Sequence, residues 1–297
     1  MARKSEHRNQ RSGGYNMTSF DRILVFGIGT MGSGIAFDLA NNGKTVYVHN
    51  HRLTEERIKR IQAIAKKQLE KGFITQEKVI DIMQKVIPID SLEDVSHSFD
   101  LAIETTSEDF HIKKEVLKEI ENSCGIHTVI ATNTSSLSIR ELASVLQDSG
   151  RLIGMHFFNP PYRMPLTELI VLDETPSQTI EKAKHFLTEI KKTWVEVKDS
   201  TGFIVNRLLF TMINEACLLL EEGAGTVHDI DTAMKLGAGY PMGPFELADF
   251  VGIDVSVKIM ESLERTFGEG HKPCSILYEM LNSGKLGRKS KNGFYNY

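Results

Sequence analysis

The sequence has 297 residues, 41% of them hydrophobic and 25% charged, with 35 Lys and Arg against 39 Asp and Glu for a formal charge of −4. That length suggests about two domains, and the composition is ordinary globular usage, which excludes disorder as the default state and gives no support to a general nucleic-acid binder. No run of about 18 apolar residues offers a membrane span, and the distant cysteines Cys124, Cys217 and Cys274 show neither a redox pair nor a metal-ligand spacing, so buried thiols in the cytoplasm and no metal are expected.

Residues 1–16 carry Arg3, Lys4, Arg8 and Arg11 against Glu6 alone, and the remainder holds 31 basic and 38 acidic residues, a balance of −7. The segment lacks the apolar run of a secretory signal and the apolar face of a transit peptide. It reads as a disordered basic extension. Residues 22–26 (RILVF) form a short apolar run ending at a glycine, as a buried parallel strand does. A helix should follow and stop near Asn41-Asn42-Gly43. Residues 45–49 alternate as a second strand, which completes a βαβ unit.

The turn inside that unit reads Gly27-Ile28-Gly29-Thr30-Met31-Gly32, a G-x-G-x-x-G. Gly27 permits the tight turn, Gly29 lets backbone approach a pyrophosphate, and Gly32 lets helix and strand pack closely. The pyrophosphate would sit at the helix N-terminus beside Thr30 and Met31, where free N–H groups favour an anion. The motif follows a strand and opens a helix, which is the context that predicts dinucleotide binding. At the end of the second strand an NAD site usually places Asp or Glu to accept from the ribose 2′-hydroxyl. This chain has Asn50, then His51 and Arg52. An amide does not repel a 2′-phosphate, and Arg52 could pair with one. The cofactor is therefore read as NAD or NADP.

Residues 54–71 read as a basic amphipathic helix. Residues 86–89, 101–103 and 129–131 read as short strands, with helices at 110–121 and 138–147 between them. Residues 151–158, 166–172 and 194–197 extend the strand pattern. The alternation predicts an α/β fold, a Rossmann-type doubly wound parallel sheet covered on both faces. Beyond Lys198-Asp199-Ser200 the pattern turns helical, with helices at 206–222, 227–236, 244–251, 254–267 and 275–282. We therefore divide the chain into the extension 1–16, an NAD(P)-binding domain 17–199 and an all-α domain 200–297.

His156 ends the run Leu152-Ile153-Gly154-Met155 and precedes a loop rich in proline. Glu168 stands twelve residues on, at the start of another apolar stretch. The loop between them could bring the two together, and a carboxylate holding one imidazole nitrogen makes the other a better-placed base. A structural histidine is the plain alternative on this feature alone.

Several motifs now stand in order: the glycine turn, Asn133-Thr134-Ser135-Ser136-Leu137, residues 154–160, Gly202-Phe203-Ile204-Val205-Asn206-Arg207, residues 237–247 with Ala248-Asp249, and the tail 284–297. Over about residues 20–297 the chain resembles the L-3-hydroxyacyl-CoA dehydrogenase family, including its bacterial 3-hydroxybutyryl-CoA dehydrogenases. The resemblance implies a catalytic base at His156, oriented by Glu168. It implies that Ser135 and Asn206 contact the reacting oxygen and thioester region, and that Glu108, Lys113, Asn159 and Lys289 lie near the nicotinamide half of the cofactor. Each has a plain structural reading too: ion-paired helix charges for Glu108 and Lys113, a turn amide for Asn159, a solvated tail lysine for Lys289, and caps for Ser135 and Asn206.

The implied reaction interconverts a 3-hydroxyacyl and a 3-oxoacyl thioester with NAD(P)(H), most simply 3-hydroxybutyryl-CoA and acetoacetyl-CoA, as in fatty acid metabolism. The implied state is a cytoplasmic homodimer joined through the helical domain. Where the family commonly continues N-P-V-P-x-M-K-L-V-E, this chain reads Asn159-Pro160-Pro161-Tyr162-Arg163-Met164-Pro165-Leu166-Thr167-Glu168. Thr201 also replaces a usual proline. Such departures also resemble the gulonate and carnitine dehydrogenase groups. The substrate is thus an acyl-CoA thioester or an acyl-carrier-protein thioester, the latter for a polyketide extender, with a free 3-hydroxy acid as a further alternative. Lys66, Lys67 and Lys71 are candidates for the phosphates of CoA.

Overall fold

A computed structural model describes residues 19–52, 55–93 and 99–297 of the chain. The basic extension lies outside these residues, as does the first residue of the helix expected from position 54. Eight strands form one sheet: β1 (Arg22–Phe26), β2 (Thr45–His49), β3 (Val86–Pro88), β4 (Leu101–Glu104), β5 (Val129–Thr132), β6 (Leu152–Phe157), β7 (Leu166–Val171) and β8 (Thr193–Lys198). Their order is β3-β2-β1-β4-β5-β6-β7-β8. The first six are parallel, in the doubly wound order that puts a crevice at the switch between β1 and β4.

The expected parallel sheet is found, with one strand reversed: β7 runs antiparallel to β6. The physical reason is the connection. A parallel crossover needs about a dozen residues or more and usually a helix, whereas residues 158–165 contain none. The chain therefore turns straight back. After β7 the helix α6 (Ser177–Glu189) crosses over, and β8 lies parallel to β7.

Alternate residues of β1 enter opposite cores, as the two-residue period of a strand requires. Ile23 and Val25 pack with α1 (Thr30–Asn41), α2 (Glu55–Glu70), α3 (Gln76–Lys85) and α6 through Ile35, Ile61, Ile82 and Phe186. Leu24 and Phe26 pack with α4 (Phe110–Ser123) and α5 (Ile139–Ala143) through Leu117, Ile120 and Leu142. The sequence reading placed no helix at α3 or α6. Both carry apolar residues at helical spacing, and α3 starts on a cap in which the Thr75 hydroxyl accepts from the Lys78 N–H. The helix expected over 138–147 is shorter, because Ser144 closes α5.

The last third is helical: α7 (Val205–Glu221), α8 (Val227–Gly237), α9 (Pro244–Val251), α10 (Ile253–Phe267) and α11 (Ser275–Asn282). These share a core of their own, built on Phe210, Ile213, Phe245, Val257, Leu263 and Leu277. The chain end folds back on two buried acids. Asp249 accepts from the N–H groups of Phe294 and Tyr295, and Asp231 from the Tyr295 hydroxyl at 2.8 Å. All three cysteines are buried and unbridged, and burial pushes the Cys124 and Cys274 thiols up to about 11. Among the described residues no helix is long and apolar enough to cross a membrane.

Candidate active site

The glycine turn is built for a close approach. Gly27 has φ +101°, and a Cβ there would lie 2.9 Å from the backbone of Thr105 and Thr106. A Cβ on Gly32 would lie 1.8 Å from the Gly27 carbonyl oxygen, so neither position admits a side chain. Gly29, in contrast, faces open space. The first intrahelical bond of α1 runs from the Ser33 N–H to the Gly29 carbonyl. The N–H groups of Thr30, Met31 and Gly32 therefore have no partner within the helix. No acidic residue stands in this first turn. An open glycine, unpaired N–H groups and the positive end of a helix fit a pyrophosphate.

The same turn floors a cavity of about 430 Å³ lined by Gly27, Gly29, Thr30, Met31, Asn50, His51 and Arg57 on one side and by Thr105 to Ser107, Ile112 and Val116 on the other. Asn50, at the end of β2, belongs to this lining. Arg52 does not, and its side chain is exposed. Arg57, in the first turns of α2, is the basic residue of this lining, and its Nη1 donates to Asn50 Oδ1 at 2.9 Å.

His156 and Glu168 face one another directly across the β6–β7 pair. The twelve-residue spacing is thus the span of a hairpin centred near Tyr162. His156 Nδ1 lies 2.8 Å from Glu168 Oε2, with the two side chains 7% and 0% exposed. Glu168 Oε1 accepts from the N–H groups of Ile204 and Val205, both at 3.0 Å, at the start of α7. A carboxylate only accepts, so Nδ1 carries the ring hydrogen, and in the neutral imidazole Nε2 then keeps its lone pair. The Phe158 and Phe203 rings pack beside the imidazole at 4.6 and 5.6 Å.

Ser135 and Asn206 are brought together, with Asn206 Nδ2 donating to the Ser135 carbonyl at 3.2 Å. The Ser135 hydroxyl donates to Glu108 Oε1 at 3.1 Å, and the same oxygen accepts from Thr134, from Ser136 and from the Ser135 N–H. Loss of hydration pushes the Glu108 carboxyl up. Lys113 and these hydrogen bonds more than offset that and leave it below its ordinary value. Lys113 itself lies buried 2.9 Å from Glu104 Oε2 and 3.7 Å from Glu108 Oε2, and it is absent from the cavity lining. Glu104 further accepts from Thr132 Oγ1 at 2.6 Å and the Thr106 N–H at 2.6 Å, which stiffens the 105–108 wall of the cavity. Lys289 is paired with Asp254 on α10.

A second cavity, of about 270 Å³, is lined by Thr30, Ser33, Arg60, Asn159, Pro160 and Tyr162 among others. Thr30 lines both cavities. The Ser33 hydroxyl is buried there without a hydrogen-bond partner. Lys66, Lys67 and Lys71 are exposed, and Lys66 pairs loosely with Glu70 at 4.0 Å. The basic residue that lines this cavity is Arg60.

Sequence reasoning missed the device that holds the 159–165 loop. Lys192, with a side chain 5% exposed, donates to the carbonyls of Pro161 at 2.6 Å and Met164 at 3.0 Å. It also pairs with Asp38 of α1 at 2.7 Å. Pro161 packs against Gly34, where a Cβ would come within 2.8 Å, and Tyr162 packs edge-on to Phe37 at 5.3 Å. The loop after the histidine is thereby moored to the helix of the glycine turn. Asn133, within a quoted motif but given no role, accepts from the Phe157 N–H at 2.9 Å and fixes the strand beside His156. A lone lysine in a polar stretch carries no signal of such a place.

Residues 22–200 match the family described as 3-hydroxyacyl-CoA dehydrogenase, NAD binding domain, and residues 202–297 match 3-hydroxyacyl-CoA dehydrogenase, C-terminal domain. The chain is 40% identical over 282 residues to the 3-hydroxybutyryl-CoA dehydrogenase of Clostridioides difficile, covering 93% of this chain and 99% of that one. It is 39% identical over 279 residues to a probable 3-hydroxybutyryl-CoA dehydrogenase of Bacillus subtilis (strain 168), covering 93% and 97%. Among solved structures it is similar to (S)-3-hydroxybutyryl-CoA dehydrogenase from Ralstonia eutropha, with a TM-score of 0.89, 35% identity and coverage of 94% and 99%.

Proposed function

The chain belongs to the 3-hydroxyacyl-CoA dehydrogenase family, and on that premise we propose that it interconverts 3-hydroxybutyryl-CoA and acetoacetyl-CoA. It is an oxidoreductase acting on CH–OH with NAD(H). The observation that carries the reading is the cross-strand His156–Glu168 pair, buried and aligned with one ring nitrogen left free.

Bound NAD(H) supplies the hydride exchange at the nicotinamide. The chain's own residues do the rest. Thr30, Met31 and Gly32 hold the pyrophosphate on backbone N–H groups. His156 Nε2 takes the proton of the 3-hydroxyl in the oxidising direction and returns it in the reducing direction. Glu168 keeps the ring in the required tautomer and stabilises its cationic form. Ser135 and Asn206 hold the substrate oxygen, Asn159 lies toward the nicotinamide half of the cofactor, and the moored 160–165 loop shapes the acyl side. Fixing base and substrate carbon in one geometry supplies the orientation the reaction needs.

The two cores that flank the sheet and the separate core of the helices support a cofactor-binding unit over residues 17–199 and a helical unit over 200–297. Leu208, Leu236 and Phe250 of that helical part are 67%, 83% and 51% exposed, and such apolar exposure supports a homodimer joined there. Unbridged thiols support a cytoplasmic location. The test is reduction of acetoacetyl-CoA followed at the nicotinamide absorbance. His156→Ala should lower turnover by about 10²-fold or more while NADH still binds. Absence of acetoacetyl-CoA turnover in the unaltered protein, with turnover of a carrier-protein thioester or a free hydroxy acid, would reassign the substrate.

A further inference from the structure

The adenosine end of the large cavity differs from an NAD-specific one in two ways. First, the position after β2 that ordinarily holds a carboxylate is Asn50, and the described lining of the cavity contains no Asp or Glu at all. That carboxylate normally does two things: it accepts from the ribose 2′-hydroxyl and it repels a 2′-phosphate. Asn50 does not repel. Second, a guanidinium stands beside Asn50. Arg57 lines the cavity, is half-buried, and spends one of its five N–H donors on Asn50 Oδ1 at 2.9 Å. Among the described residues it makes no ion pair with a carboxylate. Glu119, the partner of His51 Nε2 at 2.6 Å, lies outside the lining.

We propose that Asn50 and Arg57 open this site to the 2′-phosphorylated cofactor, so that the protein binds NADP(H) as well as NAD(H), with the 2′-phosphate received by Arg57. The inference rests on the dinucleotide reading of the cavity. A half-buried guanidinium is less screened than a surface one and offers a planar fork to a phosphate. Asn50 positions that fork through its side-chain oxygen, which makes it a positioning residue for phosphate recognition. Arg52, exposed and outside the lining, has no part in it.

Equilibrium titration of the whole protein with NADH and with NADPH, read by cofactor fluorescence or calorimetry, tests the proposal without reference to turnover. NADPH should bind within about tenfold of NADH. Arg57→Ala should weaken NADPH by about tenfold or more and NADH by less than about threefold, and Asn50→Asp should act in the same sense by adding a repelling charge. Competition needs no variant: 2′-AMP should displace NADPH from the unaltered protein better than 5′-AMP does. NADPH binding about 100-fold weaker than NADH, or an Arg57→Ala variant that weakens both cofactors equally, would overturn the proposal and leave the dinucleotide site standing. Failure of both cofactors to bind would overturn the underlying reading as well.

Discussion

Replacing Glu168 by Gln separates the chemistry of the site from its architecture. The side chain is fully buried and has three partners, two of them backbone N–H groups at 3.0 Å and the third His156 Nδ1 at 2.8 Å. A glutamine fills the same space. Its oxygen must face the Ile204 and Val205 N–H groups, because its NH₂ would set donor against donor there. The NH₂ then points at Nδ1, which must become an acceptor, and the ring hydrogen moves to Nε2. The base loses its lone pair in the place where it is needed. A wrong tautomer in a carboxylate–histidine pair costs roughly 10³- to 10⁴-fold, and kcat for acetoacetyl-CoA reduction should fall on that order. Stability should change little by comparison. Three charge-assisted hydrogen bonds become neutral ones, a loss of about 1–3 kcal/mol in all. Glu168→Ala makes the contrast, since it leaves the two N–H groups unpaired at about 1–3 kcal/mol each, with partial exposure putting the sum near 2–3 kcal/mol. Steady-state kinetics and urea unfolding on both variants provide the assay, with NADH titration showing that the cofactor site is intact. A Gln variant keeping more than about a tenth of normal kcat would refute the tautomer argument. An Ala variant as stable as the Gln variant would refute the claim that Glu168 ties the hairpin to α7.

Two further outcomes test the scaffold. The Glu108 carboxyl sits below its ordinary 4.5 in the folded protein, so its stabilising contribution is present above that value and is lost as pH falls through the folded value. The urea midpoint should therefore drop more between about pH 6 and about pH 3 in the unaltered protein than in Glu108→Gln, and equal drops would count against the turn being held by this charge. Lys192→Met removes a buried cation from Asp38 and from the carbonyls of Pro161 and Met164. Breaking a buried pair on one side costs about 3–5 kcal/mol, and Asp38→Leu added to Lys192→Met should recover part of it. Thermal unfolding checks this, and no recovery would show that the carbonyl contacts, rather than the stranded carboxylate, account for the loss.

Much of the molecule was legible along the chain because its causes are local. The glycine turn reads directly, since Gly27 and Gly32 stand where no Cβ fits and Gly29 stands where backbone must stay bare. Strand and helix alternation follows from hydrophobic period, and the six parallel strands follow from that alternation. The order His156, loop, Glu168 marked two residues that the intervening loop could bring together, and the antiparallel register of β6 and β7 is what sets them opposite one another. The helices α3 and α6 lay in polar stretches whose short apolar stripes acquire meaning only against a sheet face. The reversal of β7 was legible in principle from a connection too short for a crossover.

What the chain order alone could not supply was the pairing of charges. Arg57 rather than Arg52 meets Asn50, Lys113 turns inward to Glu104, and Lys192 reaches Asp38 across more than a hundred positions of sequence. Backbone conformation and hydrophobic period are set largely by neighbours a few residues away, so the sequence by itself determined the strands, the glycine turn and the candidate pair of His156 and Glu168. A long charged side chain has several low-energy directions and takes the one that satisfies it once distant elements have met. The tertiary structure therefore decided which cation meets Asn50, which holds the 159–165 loop and which supports the cavity wall.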